Sequence, residues 1–119
     1  MTDVTARSIV LRFVDYVNSG DLEGIESLLS DEVVFTDSQG RVYQEKGFMT
    51  SYLHNFPDYK ILIRQALHGG EGVALIGQTS GSHVAPEIEQ RETLVWTAEV
   101  RAGLIAEWRI YSDEAYAAG

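Results

Sequence analysis

Cysteine is absent from the chain, so no disulfide framework, thiolate zinc site or cysteine nucleophile can be built from it. Basic residues are scarce. Nine Lys and Arg against 18 Asp and Glu give a formal charge of −9, which disfavours nucleic acid and anionic membrane surfaces as partners. The acidic residues are dispersed, so the charge reads as solubility rather than as an acidic tail. Long apolar runs are also missing. The opening stretch MTDVTARSIVLRFV carries charges at Asp3, Arg7 and Arg12, and reads neither as a signal peptide nor as a membrane span, which makes the cytoplasm the expected compartment. No repeat or low-complexity segment interrupts the pattern. What is present, 119 residues of which 45% are hydrophobic, suits one domain spanning residues 1–119.

Ala6, Ile9, Val10, Phe13, Val14 and Val17 recur at three- and four-residue spacing and predict an amphipathic helix, capped by Thr2 or Asp3. Ser19-Gly20 ends it, and Asp21 caps a second helix with the stripe Leu22, Ile25, Leu28 and Leu29. Residues 33–37 alternate as a strand that places Val33, Phe35 and Asp37 on one face, so a carboxylate follows two inward apolar residues. A turn at Ser38-Gln39-Gly40 and a short returning strand at 41–43 follow. Gly47 opens a helix over residues 48–55, which Pro57 terminates. The remainder reads as strands at 59–67, 73–82, 88–100 and 104–111, with Ile61, Ile63 and Leu67 sharing a face of the first. Gly-rich residues 69–72, a connection at 84–87 and a tight turn at Arg101-Ala102-Gly103 join them, and residues 112–119 read as a loosely tied tail. Helices first and antiparallel strands last, without βαβ alternation, give an α+β class. Three helices on a strongly curved, mostly antiparallel sheet enclose a cone whose interior forms a pocket.

The run RFVDYVNSGDLEGIESLLSDEVVFTD, Gly47, Phe56-Pro57-Asp58, Gly81-Ser82-His83 and the closing AGLIAEWRIYSD resemble the SnoaL-like and ketosteroid isomerase-like members of the cone-shaped nuclear transport factor 2-like superfamily. The resemblance implies that α+β cone and places Asp37 on the isomerases' general-base aspartate. The isomerases' oxyanion hole takes a tyrosine from the first helix and a protonated aspartic acid from a late strand. Phe13 and Trp96 stand at those places. Losing both donors removes roughly 3 kcal/mol of transition-state stabilisation each, which argues against steroid isomerisation by that arrangement. The late aspartate of the SnoaL-like cyclases also falls at Trp96, while His83 has a counterpart in their histidine. Epoxide hydrolases of this fold carry an acid directly after an arginine in the closing run, and here Ile110 follows Arg109.

The candidate catalytic residues are therefore Asp37 and His83, with Phe13, Asn55, Trp96, Trp108 and Ile110 as candidate ligand contacts. For Asp37 the competing role is to accept turn N–H groups, and for His83 a solvated strand end. The inward sets read Leu94, Trp96, Ala98, Val100 and Leu104, Ala106, Trp108, Ile110, so one tryptophan packs the core while the other floors the pocket. Glu92 shares the face of Trp96 but is expected to be exposed at a frayed end. His83, Glu87 and Glu89 straddle a proline loop without a register that would converge them on a metal, and neither metal nor cofactor is expected. His54 and Asn55 would rim the cone's mouth. Arg109, Tyr111 and Asp113 alternate onto the opposite face, where a homodimer through the open face of the sheet is expected. Three functions follow: an enzyme of isomerase or cyclase type moving a proton on a hydrophobic small molecule held between Phe13 and Trp96; a non-catalytic binding or dimerisation module; and a transport-factor-like protein binder, which needs an exposed patch at Val95, Ile105 and Tyr111.

Overall fold

The structure, a computed structural model, describes residues 5–113. Helix α1 (Ala6–Ser19) begins at Thr5: the Ser8 amide donates to the Thr5 hydroxyl, and the Thr5 amide donates to the Ser8 hydroxyl. This reciprocal cap satisfies two otherwise orphaned N–H groups. The cap is thus Thr5, and Thr2 and Asp3 lie outside the described residues. Gly20, at φ 71°, closes the helix in the left-handed conformation that glycine adopts without a Cβ penalty. Asp21 then caps α2 (Leu22–Ser27) by accepting the Gly24 amide at 2.9 Å. Leu28 and Leu29, expected in this helix, leave it. Leu28 O accepts the Ile105 amide at 2.8 Å, and Leu29 opens strand β1 (Leu29–Thr36), so sheet pairing captures the chain one turn early.

The remaining elements are β2 (Val42–Tyr43), α3 (Phe48–Asn55), β3 (Lys60–Gly69), β4 (Gly72–Ser80), α4 (Pro86–Glu89), β5 (Leu94–Arg101) and β6 (Leu104–Ser112). The six strands form one curved mixed sheet in the order β2-β1-β6-β5-β4-β3. Neighbours are antiparallel except β1 and β6, which run parallel and pair Phe35 with Trp108 and Thr36 with Arg109. With its helices this is the expected α+β architecture. The β5–β6 hairpin turns at Ala102 (φ 53°) and Gly103 (φ 78°), the two positive φ angles that a two-residue turn needs to match strand twist.

Three strand assignments change. A bulge between Ile63 and Gln65 shifts the alternation of β3, turning Leu67 outward and bringing Ala66 inward. The expected strand at 88–100 is shortened, because residues 86–89 form α4: Pro86 sits in the first helical turn, where its missing N–H costs nothing, and Glu87 and Glu89 lie at the positive end of the helix. The expected loose tail is also tied further along than residue 111. Ser112 is buried in β6, and Asp113 Oδ1 accepts the Thr93 amide at 2.9 Å; residues 114–119 lie outside the described residues.

The core lies between α1 and the inner sheet face, with Phe13 and Trp96 fully buried. Helix α1 packs mainly over β3, β4 and β5. Asn18 anchors it there, donating to Ile61 O at 2.9 Å and accepting the Ile61 amide at 2.7 Å. The other half of the inner face, under β1, β6 and α3, is left to form a cavity. Among the described residues no helix is long and apolar enough to cross a membrane.

Candidate functional site

The cavity has a volume of about 480 Å³, the size of an ordinary small-molecule pocket, and both Asp37 and His83 line it. Asp37 sits just past the end of β1. Its Oδ1 accepts the Gln39 and Arg41 amides, each at 2.9 Å, so this oxygen performs the turn-holding role. Its Oδ2 instead takes the Tyr43 hydroxyl at 3.3 Å. Tyr43 is held in turn by stacking on Phe48, with ring centroids 4.4 Å apart, and Phe48 packs on Phe35. The two oxygens of one carboxylate therefore divide between backbone and cavity wall.

His83 comes from the loop after β4 and is fixed from α3. Tyr52 Oη lies 2.7 Å from His83 Nδ1, and the His83 amide donates to the same oxygen at 3.0 Å. Burial raises the Tyr52 pKa, so the phenol keeps its proton and has it available to donate to Nδ1. An imidazole that accepts this proton on Nδ1 carries its own hydrogen on Nε2, which forms no hydrogen bond among the described residues.

Trp108 and Ile110 also line the cavity, whereas Phe13, Trp96 and Asn55 do not. Phe13 packs on Trp108 with centroids 4.8 Å apart, and Trp96 lies on β5, one of the strands that α1 covers; both are core residues. Asn55, in the last turn of α3, is exposed, because that helix turns Phe48, Met49 and Tyr52 to the cavity. A ligand held between Phe13 and Trp96 is therefore replaced by a cavity displaced toward β1 and α3. Ile105, proposed for an exposed patch, is completely buried. Arg109 and Tyr111 do face outward, with the guanidinium 4.9 Å from the Tyr111 ring centre.

Glu92 is the largest departure. Rather than being exposed, it is 6% accessible, lines the cavity, and accepts the Ser112 hydroxyl on Oε2. Nearby Glu89 is equally buried and accepts Thr79 Oγ1 at 2.8 Å and the Ser82 amide at 3.2 Å. The Ala-Pro-Glu start of α4 was the available sign that residues 86–89 coil and carry Glu89 inward. Tyr43, Phe48 and Tyr52 were also missed, since nothing in their local spacing distinguishes a cavity wall from a core. Among the described residues no group of three His, Asp or Glu is placed to hold a metal.

Tyr59 forms part of the wall. Burial pushes its phenol well above the ordinary tyrosine value of about 10. Its folded pKa exceeds its unfolded one, so its contribution to stability is fully present below about pH 10 and is lost as pH rises toward the folded value. Tyr59→Phe should therefore lose less of its melting temperature than the wild type between about pH 9 and about pH 11, and parallel melting curves would sink this assignment.

A protein-family model described as a SnoaL-like domain matches residues 10–108. No protein of curated function matches the sequence. Among solved structures, an NTF2-like protein of unknown function from Cytophaga hutchinsonii superposes with a TM-score of 0.78 at 17% identity, over 99% of this chain and 98% of that one. A candidate ketosteroid isomerase from Kribbella flavida gives 0.72 at 20% identity, over 93% and 79%. An LEH-like epoxide hydrolase from M. tuberculosis gives 0.72 at 16% identity, over 91% and 82%. At these identities the likeness carries the fold, and the fold hosts several chemistries.

Proposed function

Because the chain belongs to the SnoaL-like domain family, we propose that it is a small-molecule enzyme of isomerase or cyclase type, moving a proton on a hydrophobic substrate with Asp37 as general base. The observation that supports this reading is that Asp37 and His83, 46 positions apart by their numbers (83 − 37), line one cavity. Asp37 Oδ2 takes a proton from carbon beside a substrate carbonyl, and negative charge develops on the carbonyl oxygen. His83 Nε2–H supplies a hydrogen bond to that oxygen, replacing the donors lost at Phe13 and Trp96. Tyr52 acts as a positioning residue, since it holds the imidazole in the donating tautomer.

Deuterium uptake tests the proposal. In D2O the wild type should exchange the acidic carbon-bound hydrogen of a ketone drawn from aromatic polyketides, steroids and terpenoids. Asp37→Asn should bind the same ketone, seen as a thermal shift, without exchanging it. Binding by both proteins with no exchange by either would instead make the chain a non-catalytic ligand-binding module.

The outward face favours a homodimer. Tyr111, Val95 and Ile76 form one apolar row across β6, β5 and β4, and Leu67 is 49% exposed at the sheet's edge. Sedimentation at micromolar concentration should give twice the monomer mass; a monomer there would reject pairing through this face.

A further inference from the structure

Two side chains on the cavity wall are more than nine-tenths buried and leave hydrogen-bonding capacity unused. Among the described residues Glu92 receives only the Ser112 hydroxyl, on Oε2, and its Oε1 takes no hydrogen bond. Trp108 Nε1 has no acceptor among them either. The ion pairs formed among the described residues join Lys46 to Asp31 and Arg101 to Glu99 and Glu107, all away from the cavity, so among those residues neither Glu92 nor the buried Glu89 is matched by a cation. A carboxylate taken out of water without a cationic partner is costly, and a cationic ligand removes that cost.

The rest of the lining agrees in sign. Asp37 is the second carboxylate, and the basic groups are His83, whose Nδ1 is engaged by the Tyr52 hydroxyl, and Arg41, both of them exposed. Aromatic rings from Tyr43, Phe48, Tyr52, Tyr59 and Trp108 make up much of the wall and present the faces that attract a cation. After burial and the nearby Tyr52, the charges of Glu89 and Glu92 also raise the Tyr59 pKa, so the carboxylate field reaches across this end of the site.

We infer that the ligand carries a protonated amine that docks on Glu92 Oε1 while its apolar body lies along Ile110 and Trp108. This deepens the proton-transfer reading, whose cavity it shares. The strands supply a ruler. Trp108, Ile110 and Ser112 alternate on one face of β6, and continuing the β1 register from Thr36 opposite Arg109 puts Asp37 beside Ile110. Ser112, which holds Glu92, is one side-chain repeat further on, about 7 Å. The amine and the carbon that Asp37 deprotonates therefore belong to neighbouring side-chain repeats along β6.

Calorimetric titration with three probes that share an indole body tests the inference at neutral pH: tryptamine, a cation; tryptophol, neutral; and indoleacetate, an anion. The wild type should bind tryptamine on the order of 10- to 100-fold more tightly than tryptophol, with indoleacetate weakest. Glu92→Gln, whose amide oxygen still accepts from Ser112, should erase the tryptamine preference and leave tryptophol unchanged. Should that variant fail to fold, Glu92→Asp, which draws the carboxylate back, carries the same readout. Equal binding of tryptamine and tryptophol by the wild type, a preference for indoleacetate, or a tryptamine preference that survives in Glu92→Gln and vanishes in Asp37→Asn would each overturn the inference. Absence of deuterium exchange by the wild type would overturn the proton-transfer reading and leave the probe ranking standing.

Discussion

Asp37→Asn is expected to slow carbon-bound hydrogen exchange by about 10² to 10⁴-fold while leaving the melting temperature close to that of the wild type. The amide cannot take up a proton at neutral pH, so the base is removed outright. Its surroundings survive the change. An asparagine Oδ1 still accepts the Gln39 and Arg41 amides, and its Nδ2 can donate to the Tyr43 oxygen where Oδ2 now accepts from it. The substitution thus separates the two roles of Asp37, holding the turn and facing the cavity. Exchange rates and thermal melts on the same samples check both. A variant that exchanges like the wild type would remove Asp37 from the chemistry, and one that unfolds would show that the turn needs a charged acceptor.

Gly77→Ala is expected to destabilise the fold by about 3 kcal/mol or more, read as a lowered denaturant midpoint. A Cβ at this position would lie 2.0 Å from Leu62 O and 3.2 Å from Ile63 Cα. These are backbone atoms of the neighbouring strand, so no side-chain rotation relieves the overlap. The opposing effect is the loss of unfolded-chain entropy on replacing glycine, worth about 0.4–1 kcal/mol, and it is too small to compensate. Gly77 pairs with Ile63 at the edge of the β3 bulge. An alanine variant of unchanged midpoint would mean that β3 can move outward freely, contrary to its anchoring by Asn18.

The elements legible in the sequence are those whose signals are local. The stripe from Ala6 to Val17, the Asp21 cap, and Gly47 with Pro57 around α3 each act within a few residues, and the structure keeps them. Asp37 was legible as an inward acid because alternation from Val33 continues to it. The misplaced residues depend on partners far along the chain. Leu67 turned outward because a bulge against β4 changed its parity, and sequence alternation cannot register an inserted residue. Phe13 and Trp96 were assigned to a ligand because nothing local reveals that α1 covers β3 to β5 and leaves the cavity under β1. Glu92 looked like a frayed end because its hydroxyl partner, Ser112, lies 20 residues away.

The parallel pairing of β1 with β6 also constrains how the protein folds. Antiparallel neighbours β3–β4 and β5–β6 close short loops and can form early, whereas Phe35 must find Trp108 across most of the chain. Closing so long a loop must precede the contacts that reward it, so this pairing belongs to the slow part of folding. Asp37 lies at the end of that late-docking strand, and His83 in the loop that follows the early hairpin. The two halves of the cavity thus mature at different times, and ligand binding should appear only in the last kinetic phase of refolding.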